Sequence, residues 1–350
     1  MEYIIHLTDN CNLNCSYCYQ HKINRSISFE NIKNLIDYEI TRNEAYSIIY
    51  FYGGEPLLEK ELIKDTINYI NSKKCKTSFY YGITTNGTLL DEAFIKYMKK
   101  NNFISIAYSI DGASETQNLN RKTFDGNETF NIVSDNFKKL LHYFDNISTM
   151  TVITKNNLSC LSKNVEYLIN MNFKCINLLF DYSQTWQDND LIELRNQYSK
   201  IAKIYADNLL HKKDITIPII DDKIQTYIYD EYNCNDNCSL GIKTINVGTD
   251  GFFYPCMQFV YNKDFIIGNC KSGIDIEKRA KLIQNSKKEQ ISCSNCTIKK
   301  RCKHLCSCKN YKLTNDINKL SPIICETEKL SSKKLIKWLH IYIIKIKKYL

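Results

Sequence analysis

The first residues that could do chemistry are Cys11-Asn-Leu-Asn-Cys15-Ser-Tyr-Cys18, a CxxxCxxC spacing directly after a β-branched run. Three thiolates on one tight loop can hold three irons of a 4Fe–4S cube, leaving the fourth iron without a protein ligand and open to a reactant. Zinc is the alternative reading, but structural zinc takes four ligands and three thiolates leave it one short. A second set runs Cys238, Gly251, Cys256, then Cys293-x2-Cys296-x5-Cys302-x3-Cys306, then Cys325. Taken alone, its pairs and returning cysteine could also make zinc sites. Between the two sets lies Gly53-Gly54-Glu55-Pro56, where the glycines let backbone approach a ligand closely and the carboxylate can meet an ammonium. Thr84-Thr85-Asn86-Gly87-Thr88 and Ser109-Ile110-Asp111-Gly112 are turn-type stretches that follow apolar runs, and Arg121 comes twelve residues after Ser109.

These residues need elements to carry them. Short β-branched or aromatic runs at Tyr3 to Thr8, Ile48 to Tyr52, Ser78 to Thr84, Ile104 to Ile110, Ser148 to Ile153 and Cys175 to Phe180 read as strands. Segments of helical periodicity follow them, near Phe29 to Arg42, Lys60 to Ser72, Asp91 to Lys100, Asn131 to Tyr143, Leu161 to Met171 and Leu191 to Leu210. Six strand-then-helix repeats predict an α/β fold, a partial (β/α)6 TIM-like barrel over residues 1–215, with chemistry at the C-terminal ends of its strands. The motifs fall at those ends. A linker is expected over 216–230, and then a unit over 231–330 held by its cysteines rather than by a large apolar core, with little helical periodicity. Residues 331–350 read as a basic amphipathic helix whose apolar side docks on the protein body, or meets a membrane surface or peptide.

Composition narrows the class. The chain has 350 residues, 43% hydrophobic and 24% charged, the balance of a globular protein, and only 11 glycines and 4 prolines exclude collagen-like and linker-like readings. It opens MEYIIHLTDN, without a basic n-region or a long apolar h-region, so a reducing, cytoplasmic setting is expected and the 16 cysteines read as metal or cluster ligands rather than bridges. No transmembrane segment is expected, because no apolar run reaches about 18 residues. The formal charge of +9 could point to nucleic acid, but the lysines scatter over solvated helix faces and no nucleic-acid partner is expected.

The CxxxCxxC loop, with aromatic Tyr17 before its last cysteine, resembles the radical S-adenosylmethionine (radical SAM) superfamily. The resemblance implies that the open iron is chelated by S-adenosylmethionine, which an electron from the cluster cleaves to a 5′-deoxyadenosyl radical. Gly53, Gly54 and Glu55 look like the family's GGE motif, which binds the cofactor's amino group. By the same resemblance Ser109 would touch the ribose or carboxylate and Arg121 would pair with the carboxylate, with Tyr17, Thr85, Asn86 and Asp111 completing the cofactor-binding set.

The second cysteine set fits every interval of the SPASM pattern, CX9–15GX4C, gap, CX2CX5CX3C, gap, C, which is attached to such barrels and carries two auxiliary 4Fe–4S clusters. The resemblance implies that Cys238, Cys256 and Cys306, with Cys234, hold the first auxiliary cluster, and that Cys293, Cys296, Cys302 and Cys325 hold the second. Cys270 or Cys308 could substitute for Cys234, while Cys75, Cys160 and Cys175 read as buried small hydrophobes. Three loaded clusters would add roughly −5 to the charge, so the positive excess belongs partly to the apo-form.

SPASM proteins mostly modify ribosomally made peptides or proteins. Sulfatase-maturating members have an aspartate directly after the third cysteine of the first auxiliary cluster, where it accepts a proton. Here Met257 and Gln258 follow Cys256, and neither is a base. The expected function is therefore a radical SAM oxidoreductase of anaerobic metabolism, a peptide maturase that forms a thioether or C–C crosslink in a natural-product precursor, in particular a cysteine-rich one. Formylglycine formation in sulfatases is the alternative, and a non-enzymatic zinc-binding interaction protein the alternative from another class. An electron donor such as flavodoxin or ferredoxin is implied. Because ten residues precede Cys11, leader recognition is expected from a separate leader-binding protein, the SPASM surface, or nothing.

Overall fold

Alternation writes the first strand: in β1 (Glu2–Thr8) Tyr3, Ile5 and Leu7 fall on one face and are buried, while Glu2 and Ile4 on the other stay partly exposed. The helix that follows, α1 (Phe29–Thr41), starts where the Ser28 side chain accepts the Asn31 N–H, and it buries Ile32, Leu35, Ile36 and Glu39 along one stripe. A computed structural model describes residues 1–20, 22–229, 240–286, 288, 293–302 and 306–332. The chain continues through β2 (Tyr46–Gly53), α2 (Lys60–Ser72), β3 (Ser78–Thr85), α3 (Glu92–Lys100), β4 (Phe103–Tyr108), α4 (Ser114–Asn120) and α5 (Phe130–Leu141). It then runs through β5 (Ile147–Ile153), α6 (Leu161–Asn170), β6 (Cys175–Phe180), α7 (Asp188–Leu210) and α8 (Pro218–Ile228). The last elements are β7 (Thr244–Val247), β8 (Phe252–Tyr254), β9 (Gly268–Asn269), β10 (Gly273–Ile274), α9 (Ile276–Ser286) and α10 (Ser307–Thr314), with residues 322–332 also helical. The six strand-then-helix repeats stand where the alternation of patterns puts them, and the fold is α/β.

The described residues divide into two compact units, one drawn from Met1–Ser109, Arg121–Ile147 and Ser239–Asn285, the other from Ile110–Asn120, Ser148–Cys238 and Ser286–Leu350. In the first, β1, β2, β3 and β4 lie side by side and parallel, and β7 pairs parallel with the other edge of β1. β8, β9 and β10 extend that edge as antiparallel strands. Ile5, Ile49, Phe51, Tyr81 and Ile83 face the buried stripes of α1 and α2, including Ile36, Ile63 and Ile67; each such side chain contributes about 1.5–3 kcal/mol on leaving water. In the second unit β5 and β6 are parallel, Ser148 opposite Cys175 and Ile153 opposite Phe180, and α7 buries Leu194, Tyr198, Ile201 and Tyr205.

Several details depart from expectation. The stretch 216–230 is helical over most of its length, with Pro218 in the first turn, where a missing N–H costs nothing. The cysteine-rich segment holds α9, α10 and the 322–332 helix; Lys223, almost fully buried, pairs with Glu328 at 2.5 Å and ties α8 to the last of these. Cys160 is exposed and Cys75 and Cys175 half-buried, so none is the buried small hydrophobe expected; Cys160 precedes α6 and Cys75 lies in the loop before β3 rather than on a core face. Cys234, Cys238 and residues 333–350, most of the expected basic helix, lie outside the described residues. Among the described residues no helix is long and apolar enough to cross a membrane.

Candidate active site

The C-terminal ends of β1, β2 and β3 carry most of the expected cofactor site, and that part falls in the first unit. The Cys11 loop turns tightly, with the Leu13 N–H directed at Cys11 Sγ (3.4 Å) and the Cys18 N–H donating to the Cys15 carbonyl at 3.2 Å. It is tied sideways to the segment around Arg121: Asn14 N–H donates to the Lys122 carbonyl at 2.7 Å, and the Arg121 guanidinium lies 5.4 Å from the Tyr17 ring centroid. Arg121 is buried.

Gly53 and Gly54 let the end of β2 cross the start of the cysteine loop. A Cβ on Gly54 would stand 2.2 Å from the Asn10 carbonyl oxygen, and the neighbouring backbone is fixed by Gly54 N–H to the Thr8 carbonyl and Glu55 N–H to the Asn10 carbonyl. Backbone cannot yield as a flexible side chain would. Gly54→Ala is therefore expected to cost about 1–3 kcal/mol of stability, read by denaturant unfolding, whatever it does to activity.

Glu55 is fully buried, and its carboxylate has three donors. Oε1 accepts the Thr85 hydroxyl at 2.6 Å and the Leu57 N–H at 3.0 Å, and Oε2 accepts the Asn86 N–H at 2.7 Å. Burial nevertheless pushes its carboxyl up to about 7, against the opposing pull of Thr85, Asn86, Leu57 and Lys60. Thr85 and Asn86, both in the expected cofactor-binding set, thus hold Glu55. The Asn86 amide also donates to Asn12 Oδ1 at 2.9 Å and lies 3.9 Å from Cys11 Sγ, while Asn12 donates to the Thr88 hydroxyl at 2.7 Å. Asn12 and Thr88 thus lock the cysteine loop to the end of β3. Neither was singled out in the sequence, though Asn12 stands inside the motif.

Ser109 follows β4, its N–H bonded to the Thr85 carbonyl at 2.9 Å, with β3 between it and Glu55. Asp111 belongs to the second unit, where its carboxylate accepts the Val152 N–H at 3.1 Å and its own N–H donates to Gln117; this fastens the turn after β4 to β5. Burial drives the Cys11 thiol up to about 12, against the pull of the Leu13 N–H and with Glu55 nearby adding to the rise. Thiols carried on one tight loop and a buried carboxylate beside it are donors that suit a cationic occupant, whether iron at the thiols or an ammonium at the carboxylate.

The second cysteine set divides between the units. Cys256 follows β8 in the first, where Gly251 takes φ +78 in the turn between β7 and β8 and a Cβ there would stand 2.6 Å from Asn31 Nδ2. Cys293, Cys296, Cys302, Cys306 and Cys325 are in the second. The Cys325 thiol is raised chiefly by burial, with Cys293 and Cys296 near it, and Cys296 N–H donates to the Cys293 carbonyl at 3.1 Å. Cys308 is buried, with its sulfur 3.3 Å from that of Cys306. Among the described residues no three His, Cys, Asp or Glu side chains close around one point as a single zinc would require, with thiolates about 4 Å apart.

A cysteine loop at the end of the first strand of a parallel α/β sheet, set over a buried, glycine-flanked carboxylate, is the architecture of a cluster-bearing barrel enzyme. The family model of the radical SAM superfamily matches residues 5–193, and the chain belongs to that superfamily. Membership implies one 4Fe–4S cluster and S-adenosylmethionine, and it removes the non-enzymatic zinc reading. The chain is 26% identical over 340 residues to the cysteine-type anaerobic sulfatase-maturating enzyme of Clostridium perfringens strain 13, covering 89% of this chain and 90% of that one. A solved structure of native anSMEcpe with bound AdoMet and Cp18Cys peptide matches with a TM-score of 0.80 and 21% identity, over 97% of this chain and 98% of that one. Streptococcus suis SuiB bound to precursor peptide SuiA matches with a TM-score of 0.66 and 14% identity, over 93% and 75%. These likenesses give the fold of a radical SAM barrel with a cysteine-rich C-terminal part.

Proposed function

We propose that this radical SAM enzyme modifies a peptide or protein substrate, with Cys11, Cys15 and Cys18 as ligands of the cofactor-cleaving cluster. The observation that carries the reading is the Cys11 loop locked over buried Glu55. When bound, the cluster and S-adenosylmethionine supply a 5′-deoxyadenosyl radical that removes a hydrogen atom from the substrate. The chain's own residues hold the cofactor: Glu55 takes its ammonium, Arg121 and Ser109 its carboxylate and ribose, and Tyr17 packs under Arg121. Cys234, Cys238, Cys256 and Cys306 hold a first auxiliary cluster and Cys293, Cys296, Cys302 and Cys325 a second, in a SPASM domain over 231–330 that follows a barrel over 1–215. A flavodoxin or ferredoxin delivers the electrons.

Two products rest on different observations. Cys256 is followed by Met257 and Gln258, and neither can take the proton that cysteine oxidation releases, which favours a thioether or C–C crosslink in a ribosomally made peptide. Kinship along nearly the whole chain to a cysteine-type sulfatase-maturating enzyme favours formylglycine formation as the second reading. Anaerobically purified protein is expected to be brown, with about twelve irons per chain for three cubes. Incubated with reductant, S-adenosylmethionine and a sulfatase-motif peptide, it is expected to release 5′-deoxyadenosine but little formylglycine; efficient conversion by mass spectrometry would replace the first product with the second.

A further inference from the structure

One buried carboxylate joins the segment bearing Cys256 to the loop bearing Cys11, both in the first unit. Asp9, two residues ahead of Cys11 and 3% exposed, accepts hydrogen bonds from Arg25 Nε at 2.8 Å, from Thr249 Oγ1 at 2.9 Å and from the Tyr261 hydroxyl. The Tyr261 oxygen also lies 3.0 Å from Thr249 Oγ1, and the Arg25 guanidinium stacks 4.3 Å from the Tyr261 ring centroid. Thr249 stands just after β7 and Tyr261 five residues beyond Cys256, so the clamp grips this segment on both sides of the cysteine. Tyr261 has φ +70, a left-handed backbone that a bulky residue keeps only when its surroundings determine it.

The backbone of Asp9 belongs to the same junction, its N–H donating to the Arg25 carbonyl at 2.8 Å and its carbonyl lying beside Gly54. A separate contact lies at the other end of the loop. The hydroxyls of Tyr19, next to Cys18, and Tyr52 are 2.9 Å apart, and Cys256 lies near both.

We propose that Asp9 is a positioning residue that, through Arg25, Thr249 and Tyr261, fixes the Cys256 segment against the Cys11 loop and so sets the separation of the two clusters these cysteines hold. The proposal rests on the assignment of both cysteines as cluster ligands. A carboxylate suits the task because it only accepts, and all three partners donate. An asparagine of the same size would turn its own N–H₂ towards one of those donors, so Asp9→Asn removes the match without opening a cavity.

The test uses the full chain, anaerobically reconstituted, as wild type, D9N, Y261F and T249V, with E39Q as a control: Glu39 is a buried carboxylate that accepts from Tyr3 and pairs with Arg42, away from the clamp. Iron content and microwave power saturation of the reduced Cys11-loop cluster are measured by EPR, the latter sensing a second paramagnetic cluster through distance. D9N is expected to lower the half-saturation power about threefold, or to lose about four of the roughly twelve irons, with Y261F and T249V moving the same way. E39Q is expected to lower the unfolding temperature and leave saturation unchanged. Clamp variants that match wild type in iron and saturation overturn the proposal, as does an E39Q that moves saturation equally. If D9N does not fold, Y261F and T249V decide. Colourless wild-type protein would instead overturn the functional reading itself.

Discussion

Replacing Cys18 with alanine is expected to abolish reductive formation of 5′-deoxyadenosine, lowering its rate about a thousandfold or more, beyond the 10- to 100-fold typical of losing a partner of a metal ligand. Packing makes this prediction discriminating. Cys18 is exposed, so a merely structural cysteine there would be worth within about 0.5 kcal/mol, and the unfolding midpoint of the apo-protein should barely move. The comparison is Cys160→Ala, also at an exposed thiol but on the second unit, for which no change in cofactor cleavage is expected. Rates are read by chromatography of 5′-deoxyadenosine under dithionite, alongside iron content. A Cys18→Ala protein that cleaves the cofactor at the wild-type rate would remove the Cys11 loop from the mechanism.

Glu55→Gln is expected to weaken S-adenosylmethionine binding about 30-fold, the low end of what truncating one member of a buried charge pair costs. The wild-type pH dependence follows from the same burial. The folded-state carboxyl is held at about 7, above its ordinary value of 4.5, so the folded chain binds more protons than the unfolded one between those values. Glu55 therefore disfavours folding progressively as pH rises from about 4.5 to 7, in contrast to a salt-bridged carboxylate. An ammonium beside it favours the charged form, so binding below pH 7 must release a proton. Affinity, measured by equilibrium dialysis, should fall about tenfold from its plateau by roughly one pH unit below 7 in wild type and stay nearly flat in Glu55→Gln. Equal pH profiles for the two proteins would detach Glu55 from the ammonium.

Much of this site could be read from residues alone, because its parts follow one another at strand ends. Three cysteines, two glycines with a glutamate, and the turns at Asn86 and Ser109 each come just after a run whose pattern marks a strand. What could not be read is what depends on side chains meeting across long separations. The bonds by which Thr85 and Asn86 hold the Glu55 carboxylate span 30 and 31 residues. Asp9 and Tyr261 are 252 residues apart, and no local rule pairs them. The strands β7 to β10 escaped notice because they have four, three, two and two residues, too few for a period of two to stand out. Cys75, Cys160 and Cys175 were misread because composition gives a cysteine's usual burial, not its position on a particular element.

The pairing of β7 with β1 also bears on how the chain is made. The two strands meet through Thr244 and Glu2, 242 residues apart, and at about 5–20 residues per second a ribosome needs on the order of 10–50 s to supply the partner. Until then the outer main-chain groups of β1 are an unpaired edge, open to other nascent chains. The first unit is thus a high-contact-order structure despite its regular strand-then-helix beginning, and its closure waits until more than two thirds of the chain has been made. Asp9 and Tyr261 can meet only after that closure, so the Cys256 segment reaches the Cys11 loop among the last events of folding, and a chain released early would carry the loop without its clamp.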